Sequence, residues 1–382
     1  MQDYKKLFLL NSDEIYLNHG SFGACPRDIM DRYFNIQLEL EKQPIDFLDN
    51  NIKDSLKNAR ITLSDYIDCN NEDLVFFPNP STALNMVIKS LEINKNDEIL
   101  TTTHEYGALV KTWKFICNKK SAKYIEFNPS LPINSKEEFL VNFFNKITDK
   151  TKIIFISHIT SPTALIFPVK EICKEARKRG IISIVDGAHA PAHINFSIRS
   201  IDPDIYVGAC HKWMLSPKGS SFLYARKSIQ NNLKPLVISW EWESDPIYET
   251  PFLDNNQWQG TNDISQYLII TDVINFLKEN KWREVSDQCK KINIQSRAKL
   301  LSLFNEKLIC INHEEWIGQM SSIILPDCDT SDLYQFLKSK NIEVPIILWN
   351  GYCILRISIQ AYNSINEIDI LINHLKEYFK YE

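Results

Sequence analysis

The chain is predicted to be an α/β protein, built on a mainly parallel sheet with helices on both faces and followed by a smaller α+β C-terminal domain. Three observations predict this. Between about residues 70 and 230, short β-branched runs alternate with longer stretches of helical period, as in a chain of βαβ units. The alternation breaks at residues 240–262, which are rich in Trp, Asp, Asn and Pro and have no period, as a long functional connection would be. After that come a helical run over about 264–307, two strand-like runs and a final amphipathic helix.

In order, Leu74-Val75-Phe76-Phe77 is a buried-strand run, and Leu84, Val87, Ile88 and Leu91 follow at the i, i+3, i+4, i+7 spacing of one helix face. Residues 152–156 form a second strand. Residues 169–179 form a helix with basic residues in its last turn and Gly180 as its C-terminal cap. The strand over 181–185 ends at Asp186, another covers 204–207, and 221–224 follow the Pro217-Lys218-Gly219 turn. Strand-like 321–325 and 354–358 precede a helix from Glu367.

Composition narrows the function. The 382 residues are 44% hydrophobic and 24% charged, a globular composition that excludes disorder as the main theme. Lys plus Arg number 43 against 48 acids, a net charge of -5 with no long basic stripe, so nucleic acid is not an expected partner. No run reaches the roughly 18 apolar residues of a membrane span, and the apolar stretch near the start is too short for a signal peptide. The expectation is a cytoplasmic protein with no membrane partner. Nine cysteines, an odd number without a CxxC pair, read as reduced thiols that mostly fill the core.

The ten glycines are under half of the usual share of about 7%, and most lie beside polar residues able to do chemistry. Gly20 and Gly23 fall in Asn18-His19-Gly20-Ser21-Phe22-Gly23, Gly107 follows Glu105-Tyr106, Gly187 sits in Asp186-Gly187-Ala188-His189, Gly208 and Gly219 flank His211-Lys212, and Gly260 precedes Thr261. Asn79-Pro80-Ser81-Thr82 stands between a strand and a helix, where free N–H groups favour an anion; taken alone, the same residues read first as a plain Ser N-cap. Asp186 ends an apolar strand at the edge where parallel sheets hold ligands, fit to pair with a ring N–H or, together with His189 and His193, a metal. Lys212, after a strand and before an apolar turn, would lose hydration and with it part of its charge, freeing an amine for imine formation. Lys218, between Pro217 and Gly219, is the competitor in a more exposed turn. Arg356 lies in the otherwise apolar Leu355-Arg356-Ile357-Ser358 and needs a partner, either a substrate carboxylate or a structural acid.

Taken together, Ile15 to Gly23, Val185 to Pro191, Cys210-His211-Lys212-Trp213 through Gly219, Gln259-Gly260-Thr261 and Leu355 to Ser358 with Tyr362-Asn363 resemble the class V aminotransferase family of pyridoxal-phosphate (PLP) enzymes, fold type I, in its isopenicillin-N-epimerase-like branch. The resemblance covers nearly the whole chain. It implies a seven-stranded-type sheet in a large PLP-binding domain over residues 20–255, with an N-terminal arm over 1–19 and a small C-terminal domain over 256–382. It implies that Lys212 forms the Schiff base, Asp186 pairs with the pyridine nitrogen, His189 faces the ring hydroxyl and Tyr106 stacks on the ring. Ser81, Thr82 and His211 would hold the phosphate, and Thr261 would reach the phosphate of a neighbouring subunit in a homodimer with shared sites. Arg356 would bind the carboxylate of a small amino-acid-type substrate, with Asn18 and His19 beside it.

Pro80 and Ala209 depart from residues common in the family. The mobile-loop cysteine of cysteine desulfurases has no counterpart, because 341–345 run almost directly into the Arg356 strand, Cys353 lies within that strand and Cys328 is far upstream. Persulfide chemistry is therefore not expected. Chemistry would begin with loss of the Cα proton to Lys212. From there a C–S β-lyase and an epimerase stand level, the latter needing a second-face acid from His19, Tyr106 or a residue of the 240–262 segment, and an aminotransferase stands behind both. Trp240, Trp242 and Trp258 read either as pocket lining or as interface packing. Outside this class, a non-catalytic PLP-binding homologue and a metal-dependent hydrolase using Asp186, His189 and His193 are the alternatives.

Overall fold

Strands that are apolar at every position need cover on both faces, and this chain provides it. In the computed structural model, which describes residues 4–304, 306–311 and 314–381, β1 is Ile15–Tyr16, β2 Leu74–Phe77, β3 Glu98–Thr102 and β4 Lys123–Phe127. They are followed by β5 Thr151–Ser157, β6 Ile182–Gly187, β7 Ile205–Ala209 and β8 Ser221–Ala225. β2 to β8 form one seven-stranded sheet in the order β2-β8-β7-β6-β5-β3-β4. β8 pairs antiparallel with both of its neighbours, whereas β3 to β7 pair in parallel. Successive residues of a strand enter different apolar clusters. Val75, Phe77, Ile153 and Phe155 meet Leu84, Val87, Leu109 and Trp113 from the helices Pro80–Ser90 and Gly107–Lys120. Leu74, Phe76, Ile154 and Ile156 join a second cluster with Ile172 and Ala176 from the helix Val169–Lys178. This period of two, with helices above and below, is what a buried parallel sheet requires.

The strand predictions at 74–77, 152–156, 181–185, 204–207 and 221–224 each match a strand of this sheet within about two residues. The helix closed by Gly180 ends as expected, with that glycine at φ +66°. Residues 240–262 are mostly irregular but contain a short helix, Pro251–Asn256, capped by the Thr250 hydroxyl. Six residues are too few to show a helical period in sequence.

The C-terminal part carries a second sheet. β9 (Met320–Ile324), β11 (Ile346–Trp349) and β12 (Tyr352–Ser358) run antiparallel in the order β11-β12-β9, while β10 (Ile342–Glu343) pairs in parallel with β1. One expectation is corrected here. Residues 341–345 do not run directly into the Arg356 strand, because β10 and the β11–β12 hairpin, turning at Asn350 and Gly351 with positive φ, lie between. Among the described residues no helix is long and apolar enough to cross a membrane.

Candidate active site

The ends of five strands converge on one cavity of about 320 Å³ at the carboxyl edge of the sheet, where open α/β sheets hold ligands. Asp186, near the end of β6, is 4% exposed; its Oδ1 accepts the Ala188 amide at 3.0 Å. Burial raises its pKa. Lys212, in the turn after β7, points Nζ to within 3.3 Å of His189 Nε2. His189 Nδ1 accepts the Trp213 indole N–H at 3.3 Å, so the proton of the neutral ring belongs on Nε2 and is donated to the lysine amine. Only the uncharged amine can accept that proton. Burial pulls the lysine's pKa down to about 8 against the opposing effect of Asp186, so the free amine is a minor form, about a tenth, at pH 7. Burial, with Lys212 and Arg356 adding to it, also holds His189 well below the ordinary imidazole range.

A second group faces the start of the helix Pro80–Ser90. Its N-cap is Asn79, whose side chain accepts the Thr82 amide at 2.8 Å and the Thr82 hydroxyl at 3.0 Å. The cap is therefore not Ser81. Pro80 occupies the first turn, where its missing N–H costs nothing. Ser81 is left lining the cavity with Asn79 and Pro80, while both donors of Thr82 are committed to Asn79 and the residue does not line the cavity. The expected phosphate role of Thr82 is thus confined to building the helix start. His211 joins from the other side, its Nδ1 donating to the Ser220 carbonyl at 2.9 Å. Tyr106, 45% exposed, stands at the rim beside Leu109.

Arg356 closes the site. It is 4% exposed, and its Nη1 donates to the Ser161 carbonyl at 2.6 Å and its Nη2 to the Ser21 hydroxyl at 2.9 Å. Its Nε has no partner, and among the described residues no carboxylate forms an ion pair with it. Burial lowers its pKa only to about 10, so it keeps its charge at neutral pH. Of the two partners open to it from sequence, the structural acid is absent, and a buried cation without an anion is poised to receive one. Ser21 is in turn fixed by Asn18 Oδ1 at 2.5 Å, and the Asn18 amide donates to Glu343 at 2.9 Å.

Asn18 and His19, expected beside the substrate, do not line the cavity. His19 is fully buried between the Tyr362 hydroxyl (2.9 Å) and the Lys212 carbonyl (3.2 Å). Thr261 is exposed and away from the cavity lining. Lys218 turns to the Gly23 carbonyl at 3.0 Å and does not reach the cavity. His193 has both ring nitrogens occupied, by the His189 carbonyl and the Gln319 amide, which removes it from any metal-ligand set with Asp186 and His189. Trp240 is 88% exposed, and neither it, Trp242 nor Trp258 lines the cavity. No cysteine lines it either. Sequence reasoning missed Ser21, Phe22, Ser157, Ile159 and Ser161 as lining residues. The last three follow directly from β5 and could have been found by applying the strand-end rule to every strand.

A family model described as Aminotransferase class-V matches residues 29–371. The chain is 30% identical over 380 residues to an isopenicillin N epimerase of Streptomyces clavuligerus, covering 96% of this chain and 95% of that protein. It is 26% identical to a probable chloroplastic L-cysteine desulfhydrase of Arabidopsis thaliana, covering 91% of this chain and 79% of that protein. In fold it resembles the apo cysteine desulfurase of Thermococcus onnurineus NA1, with a TM-score of 0.86 at 20% identity over 99% of this chain and 98% of that one.

Proposed function

The chain belongs to the aminotransferase class-V family of PLP-dependent enzymes, and from that premise we propose that it is a C–S β-lyase acting on a small sulfur-bearing amino acid. The residues present fit the cofactor: an amine of lowered pKa at Lys212, a buried acid at Asp186, and a helix start with Asn79 and Ser81 facing the same cavity. When bound, PLP supplies an aldehyde for an amine and an electron-withdrawing ring. Asp186 would hold the proton on the ring nitrogen, His189 would face the ring hydroxyl from its Lys212 contact, and Ser81 with His211 would receive the phosphate. Tyr106 would cover the ring.

Arg356 would hold the substrate carboxylate in a bidentate pair, already oriented by Ser161 and Ser21. Lys212 Nζ would take the Cα proton; the Cβ–S bond pair would leave with the sulfur, which picks up a proton and departs as a thiol from a thioether, a persulfide from cystine or a sulfenic acid from a sulfoxide, and water would release the rest as pyruvate and ammonia. The observation that favours elimination over epimerisation is His19, which leaves only Tyr106 at the rim of the two named candidates for the second-face acid. An epimerase needs a second acid on the opposite face, and the histidine best placed in sequence for that part is locked behind the cavity by Tyr362 and the Lys212 carbonyl and held neutral by burial at about 3. Epimerisation stays the second reading because of the 30% identity to an isopenicillin N epimerase.

The family division carries over as residues 20–255 for cofactor binding and 1–19 with 256–382 for the smaller unit. We place the enzyme in the cytoplasm as a homodimer. Phe34, Leu38 and Ile45, at 50%, 59% and 70% exposure, are apolar surface of the kind a partner covers, and Thr261 is exposed and free to reach a second cavity.

The test is a loaded protein reduced with borohydride and digested. The cofactor mass should remain on the peptide containing Lys212, and Lys212→Ala should lose both that mass and the visible absorption. Cystine or a cysteine sulfoxide should then give pyruvate with no amino acceptor present. Solvent deuterium at Cα with inversion, and no pyruvate, would establish the epimerase instead.

A further inference from the structure

We propose that Glu105 is a positioning residue of the cavity: its carboxyl group clamps the ends of β3 and β5 together, setting the direction of the Ser157 hydroxyl and the seat of Tyr106. Glu105 is 4% exposed and does not line the cavity. Thr102 Oγ1 donates to its Oε1 at 2.6 Å, and Ser157 Oγ lies within hydrogen-bond distance of its Oε2 at 2.5 Å. Among the described residues no cation pairs with it. Both of its neighbours matter to the site. Ser157 lines the cavity and is the register partner of Asp186 across β5 and β6. Tyr106 is the next residue, the N-cap of the helix Gly107–Lys120, with no side-chain cap bond of its own to hold it.

Burial, reinforced by the nearby Asp186 charge, pushes Glu105 up to about 8, while its two hydroxyl partners pull the other way. At neutral pH the group therefore mostly carries a proton. Thr102 Oγ1 already accepts the His104 amide at 3.1 Å while donating to Oε1, so the proton belongs on Oε2, facing Ser157. Ser157 then accepts, and its own hydrogen turns away from the clamp. A buried acid with every contact satisfied is rigid; one left half-satisfied is costly.

This role depends on the cavity taking PLP, so the readout is cofactor affinity. Equilibrium dialysis of PLP against cofactor-free protein, with melting followed by circular dichroism, compares wild type with Glu105→Ala, Ser157→Ala, the double variant and Glu105→Gln. Each alanine should weaken PLP binding roughly tenfold, within the range for residues sharing one network, and the double variant should be no weaker than the worse single. Glu105→Gln should bind like wild type, since its amide oxygen can accept from Thr102 while its amide nitrogen donates to Ser157. Lowered melting with unchanged affinity, losses that multiply in the double variant, or a Gln variant as weak as Ala would overturn the clamp. A wild-type chain that takes up no PLP sinks the cavity reading and the clamp together, whereas normal wild-type uptake with unaffected variants sinks only the clamp.

Discussion

His19, His104, His158 and His193 are buried rings held by hydrogen bonds: the Tyr362 hydroxyl and Lys212 carbonyl for His19, Thr163 for His104, Tyr206 for His158, and the His189 carbonyl with the Gln319 amide for His193. Burial holds each of them at about 3, far below the ordinary 6.5. Once unfolded they regain that value, so between pH 6.5 and 3 the unfolded chain binds more protons and stability falls with the pH. At pH 5 each ring costs about 2 kcal/mol relative to neutral pH. Glu105, raised to about 8, works in the opposite direction as pH falls from 8 toward 4.5, but one acid offsets only one or two of four rings. The melting temperature of the cofactor-free protein should therefore drop steeply from pH 7 to pH 5, and a flat calorimetric profile over that range would show that these rings are solvated. None of this was legible in sequence. A histidine reads as a ligand or a core residue only when its partner is known, and the partners of His19 and His158 lie 343 and 48 residues away.

At the level of elements, the turn His19–Gly23 and the turn carrying Lys212 are pressed together, and Gly23 is the contact. It has φ +71°, and a Cβ there would lie 2.3 Å from the His211 carbonyl oxygen and 2.9 Å from Lys212 Cα. Backbone cannot move aside as a flexible side chain can, so Gly23→Ala should displace His211 and Lys212 as well as strain its own turn. Gly351, at φ +81° in the β11–β12 turn, has open space around its missing Cβ. Gly351→Ala should cost only the local strain, about 1 kcal/mol, and leave cofactor affinity unchanged. Gly23→Ala should lower both melting temperature and PLP affinity; equal losses in the two variants would mean that the two turns are not coupled. Sequence showed these glycines to be clustered near chemistry, and it showed Asp186 and Lys212, because a strand end marks itself by an apolar run that stops. It did not show that β8 runs antiparallel or that Ser21, Ser161 and Arg356 meet, since pairings between distant segments leave no periodic trace.

For the whole molecule, the open question is where Thr261 acts. It follows Gly260, held at φ +102° with nothing near its missing Cβ, on an exposed surface outside the cavity of its own chain. If two copies associate about a two-fold axis, each threonine can serve the opposite cavity and each cavity then draws on both chains. This predicts complementation. Lys212→Ala lacks the amine in both of its sites, and a bulky Thr261→Trp would block both of its own. In a mixed dimer one site would receive both defects and the other neither. Refolding the two inactive proteins together at equal amounts should pair half of the chains as mixed dimers, each with one intact site, and so restore about a quarter of wild-type pyruvate formation. Mixtures that stay inactive, although cross-linking shows mixed dimers present, would mean that Thr261 does not reach across and that each cavity is complete within one chain.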